Sequence, residues 1–176
     1  MKPFDPQQRD CDAATELTIR ISRGSGEGQT LLSAFDAALG SAGVADFNLI
    51  RLSSVIPPGS VVVESTGPDQ LKGGFGDVLY CVYASGWATA LGAEVWSGVA
   101  WSLRRDDSGA GLFVEHSGVS EADVRQQLTG SLDDMSVARG GQFDYAGEVL
   151  SQVHCTDEPA CALVVATYRS MGWDAS

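Results

Sequence analysis

Positive charge is what this chain has least of. Eleven Lys and Arg stand against 23 Asp and Glu in 176 residues, a formal net charge of −12. Lysine is nearly absent, with only Lys2 and Lys72. Nucleic acids and anionic membrane surfaces both need a basic footprint, so neither is expected as a partner. Long apolar runs are missing too: every one is broken by Gly, Trp or charge short of the ~20 residues a membrane span needs. The opening stretch MKPFDPQQRDCD holds no apolar core for a secretory signal. These absences lead to the expectation of a soluble, cytoplasmic protein. Histidine is scarce, limited to His116 and His154, and no two of Cys11, Cys81, Cys155 and Cys161 have CxxC spacing. A structural zinc site is hard to assemble from that set, so no metal is expected and the thiols read as buried small hydrophobes. His154-Cys155 invites a nucleophile or metal reading, but its alternating surroundings favour an ordinary strand. No G-x-S-x-G elbow exists, which argues against a Ser-His-Asp hydrolase. No repeat or linker divides residues 1–176.

What is present is a 44% hydrophobic composition, enough for a packed core, and 21 glycines. Residues 1–14 are polar and unpatterned and read as an arm. Glu16–Ser22 alternates as a half-buried strand, and RGSGEGQT reads as a glycine-rich turn. From Thr30, a good N-cap, Leu31, Leu32, Phe35, Ala38 and Leu39 recur at helical spacing until Gly40 or Gly43. Phe47–Leu52 predicts a second strand, stopped by SSVIPPGS, where Pro57-Pro58 cannot continue a ladder. A glycine-rich region from Gly59 to Gly76 follows. Val78–Ala84 predicts an apolar strand. Ala93–Leu103 predicts a long strand, and Gly109–His116 its hairpin partner across RRDDSG. Ser120–Ala138 predicts a helix with Ser120 and Asp123 in a capping box and a stripe of Val124, Leu128, Leu132 and Met135. Gly147–Cys155 and Ala160–Tyr168 complete the strands. The pattern is that of a single α+β domain with mostly antiparallel sheets.

Two segments invite chemistry. Gly24-Ser25-Gly26-Glu27-Gly28 between strand and helix imitates a dinucleotide fingerprint. The third glycine place is Gln29, Glu27 would oppose a pyrophosphate, and no βαβ series follows. The other is Ser53-Ser54, at the end of a strand and just before the rigid Pro57-Pro58. Taken alone, the pair ends a strand and seeds a turn.

The surrounding residues give the pair a context. Ala34-Phe35-Asp36, Ala38-Leu39 and Ala42-Gly43 lead into Asn48-Leu49-Ile50-Arg51 and Ser53-Ser54. Further on stands Gly111-Leu112-Phe113-Val114-Glu115. These blocks closely resemble the pyruvoyl-dependent arginine decarboxylase family, densely over residues 17–60 and in pattern beyond. The resemblance implies a four-layer αββα sandwich that assembles as a homotrimer, or a dimer of trimers, with active sites between subunits.

It also implies a chemistry. A single proenzyme would cut itself between the serines into 1–53 (β chain) and 54–176 (α chain). Ser54 would become a covalent pyruvoyl group that forms an imine with the substrate amine, in place of pyridoxal phosphate. By the same resemblance, Glu115 protonates the carbanion left by CO₂. Asn48 polarises the scissile or pyruvoyl carbonyl. Asp36 meets the guanidinium of the substrate arginine, a fork that suits a carboxylate. Ser53 stays beside the pocket as a new carboxy terminus, and Leu32 and Leu39 line its aliphatic part. Read without the resemblance, Asp36 is a solvated helix residue, Glu115 an edge-strand carboxylate and Asn48 a strand start. Two alternatives stay open: the same chemistry on another amino acid, and a non-catalytic relative that only assembles.

Overall fold

The computed structural model describes residues 17–65 and 71–173. The segment 1–14, read above as an arm, lies outside the described residues, as does Cys11. In chain order the elements are β1 (Leu17–Glu27), α1 (Leu31–Ser41), β2 (Asn48–Arg51), β3 (Val55–Ile56) and β4 (Ser60–Glu64). Then come β5 (Val78–Ala88), β6 (Glu94–Arg104), β7 (Gly111–Gly118), α2 (Glu121–Ala138), β8 (Phe143–His154) and β9 (Ala160–Met171). Five strands form one sheet in the order β2-β5-β9-β1-β4, and four form a second in the order β3-β7-β6-β8. The pairs β1·β4 and β2·β5 are parallel and the remaining pairs antiparallel. This is the α+β sandwich that the residue pattern and the resemblance led one to expect.

The layers follow from which faces are apolar. Ile19, Ile21, Val82, Val164 and Ala166 of the first sheet meet Ile56, Val99, Phe113 and Val149 of the second, forming the central core. The opposite face of the first sheet, with Leu79, Cys81, Leu163 and Val165, takes Ala34, Ala38 and Leu39 of α1. The outer face of the second, with Ala100 and Val114, takes Val124, Leu128 and Leu132 of α2. β9 is therefore covered on both sides. Its residues Ala160–Tyr168 are all buried, which explains a near-continuous apolar run rather than alternation. Both helices start where their sequence signals put them. Thr30 caps α1 in a full capping box with Ser33, and Ser120 accepts from the Asp123 N–H at the start of α2.

The glycine-rich stretch after residue 22 is not a turn. β1 runs straight through it to Glu27, paired with β9 as far as Ala160. A Cβ at Gly26 would lie 2.5 Å from the Ala37 Cβ, one at Gly28 2.5 Å from the Ser33 Oγ, and one at Gly24 would strike the Ala38 carbonyl. These glycines let α1 lie directly on its strand, so the fingerprint-like spacing serves helix–sheet contact. A second departure is β4, whose Val61-Val62-Val63 run pairs in parallel with β1 inside a region read only as glycine-rich. β8 begins at Phe143 rather than Gly147, because Ser102, Leu103 and Arg104 of β6 extend the ladder to meet it.

Cys81 and Cys161 sit fully buried as free thiols. Burial pushes Cys81 from 9.0 up to about 12 and Cys161 from 9.0 to about 11. Burial first, and Glu115 next, also raise Tyr168. In each case the native chain holds a proton that the unfolded chain has released. Stability from these groups is full below pH 9 and falls as pH climbs toward 11 and 12. The thermal midpoint is expected to drop across this window, and more shallowly in Cys81→Ala, by calorimetry at stepped pH.

Candidate active site

The serine pair sits where the chain changes sheets. β2 ends at Arg51 as the edge of the first sheet, and the Leu52 N–H still donates to the Cys81 carbonyl at 2.8 Å. Three residues later Val55 pairs with Leu112 at the edge of the second sheet. Ser53-Ser54 is the bridge, and Pro57-Pro58 then closes β3. Crossing in so few residues forces an unusual backbone: Ser54 has φ +66°. For a residue with a Cβ this left-handed conformation costs on the order of 1–3 kcal/mol and persists only where the surroundings enforce it.

The enforcing contacts are specific. The Phe113 N–H donates to the Ser54 carbonyl at 2.8 Å. The Tyr168 hydroxyl donates to the Val55 carbonyl at 3.0 Å. The Ser54 hydroxyl donates to Oε1 of Glu115. Glu115 follows Phe113 by two residues on β7, so both point to the face between the sheets. Its side chain is 13% exposed, at the rim of the central core. The Arg51 guanidinium stands 3.8 Å from the other carboxylate oxygen and stacks on the Tyr83 ring, 4.9 Å from its centroid. Tyr83 in turn meets Phe35 of α1 at 6.0 Å. An unbroken line of contacts therefore runs from α1 to the strained serine.

Tyr168 owes its position to a bulge. Tyr80 pairs with Arg169 and Cys81 with Thr167, so Tyr168 is the extra residue in β9. Its hydroxyl is pushed up by burial and by the Glu115 charge, so it stays a neutral donor.

The candidate residues from the sequence divide into two groups. Ser53, Ser54 and Glu115 come together. Asn48, Asp36 and Leu32 do not reach them within one chain. The Asn48 amide donates to the Gly76 carbonyl at 2.6 Å. Asp36 lies on the exposed face of α1, its carboxylate without a partner among the described residues, and Leu32, one turn earlier, is 76% exposed. Leu39 stands apart: it is 8% exposed and packs with Ala34, Ala38 and Leu79. Its turn of α1 faces the sheet, so within one chain Leu39 packs in the core, one turn after Asp36, rather than next to Ser54. Arg51, Tyr83, the Phe113 N–H and Tyr168 were not singled out from sequence. Arg51 stood inside the motif that carries the resemblance. The two tyrosines become neighbours of the site only through strand pairing.

A strained serine whose hydroxyl meets a largely buried carboxylate, between two sheets of an αββα sandwich, defines a candidate nucleophilic centre. Comparison with known proteins gives it a family. The model of the pyruvoyl-dependent arginine decarboxylase family matches residues 18–171. A pyruvoyl-dependent arginine decarboxylase of Halobacterium salinarum is 36% identical over 153 residues, covering 85% of this chain and 92% of that protein. One from Methanocaldococcus jannaschii is 27% identical over 150 residues, 85% of this chain and 87% of the relative. One from Thermoplasma volcanium is 34% identical over 106 residues, 60% of this chain and 57% of the relative. The chain belongs to the pyruvoyl-dependent arginine decarboxylase family, as the resemblance in its motifs implied. It is a decarboxylase of the pyruvoyl-dependent kind. No helix among the described residues is long and apolar enough to cross a membrane.

Proposed function

We propose that this chain cuts itself between Ser53 and Ser54 and then decarboxylates L-arginine to agmatine and CO₂. The observation that carries the reading is the Ser54 residue itself, held at φ +66° with its hydroxyl on Glu115. The Ser54 oxygen attacks the Ser53 carbonyl carbon, the C–N bond breaks, and an ester replaces the amide. Loss of the Ser54 Cα proton expels the Ser53 carboxylate and leaves dehydroalanine. Water then replaces its nitrogen, releasing ammonia and leaving a pyruvoyl group at the head of 54–176. Distortion at Ser54 raises the energy of the starting amide, which favours the first step.

The residues around position 54 fit such a group. Cleavage on the amino side of Ser54 leaves its own carbonyl untouched, and that oxygen is already held by the Phe113 N–H. When formed, a pyruvoyl group supplies a ketone for the substrate amine and an adjacent carbonyl that accepts the electrons released with CO₂. The Phe113 N–H is aimed at the oxygen where that charge develops. Tyr168 holds the Val55 carbonyl, one residue further on, and so steadies the segment that carries the Ser54 carbonyl. Glu115 is the group that relays a proton to the reacting carbon in each turnover, and Arg51 keeps its carboxylate aligned from the other oxygen.

Asp36 and Asn48 stay clear of Ser54 within one chain, so in this reading they serve a site shared between subunits of a trimer. The exposed apolar residues Leu31, Leu32, Ile50, Val55 and Trp87 supply a surface for that assembly. Asp36 is the anion for the substrate guanidinium. Asp36→Asn is expected to raise the arginine KM by roughly 10–150-fold, the worth of one lost charge-assisted contact, with chain cleavage unaffected. The test is CO₂ release from arginine, lysine, ornithine and aspartate by wild type and variant. A wild-type preference for aspartate would overturn the arginine assignment, because Asp36 would repel that substrate.

A further inference from the structure

On the far side of the second sheet, away from Ser54, the last turns of α2 and the start of β8 border an open cleft of about 530 Å³, with Asp133, Val137 and Tyr145 exposed along its rim and Ser102 and Leu132 buried at its floor. That lies within the usual size of small-molecule sites, about 300–1,000 Å³. Leu132, Val137 and Phe143 supply apolar walls, and Asp133, Ser136 and Tyr145 polar ones. Ser102 lines it from β6, on the face that carries Ala100 toward α2. Ser102 is 2% exposed, and its hydroxyl has no hydrogen-bond partner among the described residues. A buried hydroxyl left unmatched is costly and unusual unless something in the adjoining space completes it. The strand is also reshaped here. Trp101 pairs with Gly147 but Ser102 with Tyr145, so Ala146 is an inserted bulge residue beside the cleft.

The cleft has a sign. Asp133 makes no ion pair with any described residue, and the last turn of α2 carries no basic residue. The carbonyl end of the helix adds partial negative charge to that carboxylate. We propose that this cleft binds a short aliphatic ammonium compound with a second polar end. The ammonium sits on Asp133, the carbon chain lies against Leu132, Val137 and Phe143, and the far N–H or O–H meets the Ser102 oxygen. This site is independent of the decarboxylation reading and uses none of its residues.

The probe is 1,4-diaminobutane, titrated into the full chain labelled with 3-fluorotyrosine. Four tyrosines give four fluorine resonances, and Tyr145→Phe identifies the one at the cleft. The expected result is a saturable shift of the Tyr145 resonance, with 1,4-butanediol producing little. Asp133→Asn is expected to raise the midpoint about tenfold, the loss of one charge-assisted contact. Ser102→Ala is expected to weaken binding while raising the melting temperature, because it deletes an unmatched hydroxyl; a purely structural Ser102 would not separate the two. Shifts confined to Tyr83 and Tyr168 would place the diamine at the candidate active site and overturn the proposal. An unchanged midpoint in Asp133→Asn would do the same.

Discussion

Ser54→Ala is expected to remain one chain of 176 residues and to release no CO₂ above background. One atom decides the outcome. Every step from the intact backbone to a ketone at position 54 begins with the Ser54 Oγ attacking the preceding carbonyl. Alanine has the same backbone restrictions as serine, so the φ of +66° stays forced and the fold around it is retained. What disappears is the nucleophile and its hydrogen bond to Glu115. Strain without a nucleophile cannot break the peptide at this position. A denaturing gel and an intact-mass spectrum decide it. A cut Ser54→Ala chain would move the cleavage to another residue.

Glu115→Gln is expected to lower the turnover number by ~10²–10⁴, the usual worth of a general acid, while the chain still divides into 1–53 and 54–176. The two outcomes part because the two reactions ask different things of the side chain. Decarboxylation must deliver a proton in every turnover, which a carboxamide cannot do. Cleavage happens once per chain and needs the Ser54 hydroxyl oriented, and the carboxamide oxygen accepts the same hydrogen bond that Oε1 accepts now. The KM for arginine is expected to stay close to wild type, since Glu115 contacts Ser54 and Arg51 and Asp36 lies elsewhere. An unchanged turnover number would take Glu115 out of the mechanism.

Much of this architecture was legible in the chain. α2 could be read from Ser120 and the Val124, Leu128, Leu132 stripe, because a cap and a 3.6-residue period are local properties. The β6–β7 hairpin was legible for the same reason. Gly24, Gly26 and Gly28 misled, because a glycine in a strand looks like a turn until the helix that presses on it is in place. β4 was hidden because its partner, β1, lies more than thirty positions earlier and pairs in parallel, which no local pattern reports. At the site, Ser53, Ser54 and Glu115 stood in motifs. Tyr168 could not be foreseen: it reaches Val55 only through a one-residue bulge, and a bulge has no signature in an apolar run. The stripe on α1 gave the spacing of a face without saying where that face ends. Leu39 and Asp36 are three residues apart, yet one is buried and the other exposed.

The central claim is that Ser54 is a residue the chain consumes. Its most direct test is the intact mass of the purified wild-type protein under denaturing conditions. The account predicts two species, 1–53 ending in a free Ser53 carboxylate and 54–176 opening with a blocked, amine-free residue that reacts with phenylhydrazine as a ketone does. A single uncut chain with serine still at position 54, unchanged after prolonged incubation, would contradict it.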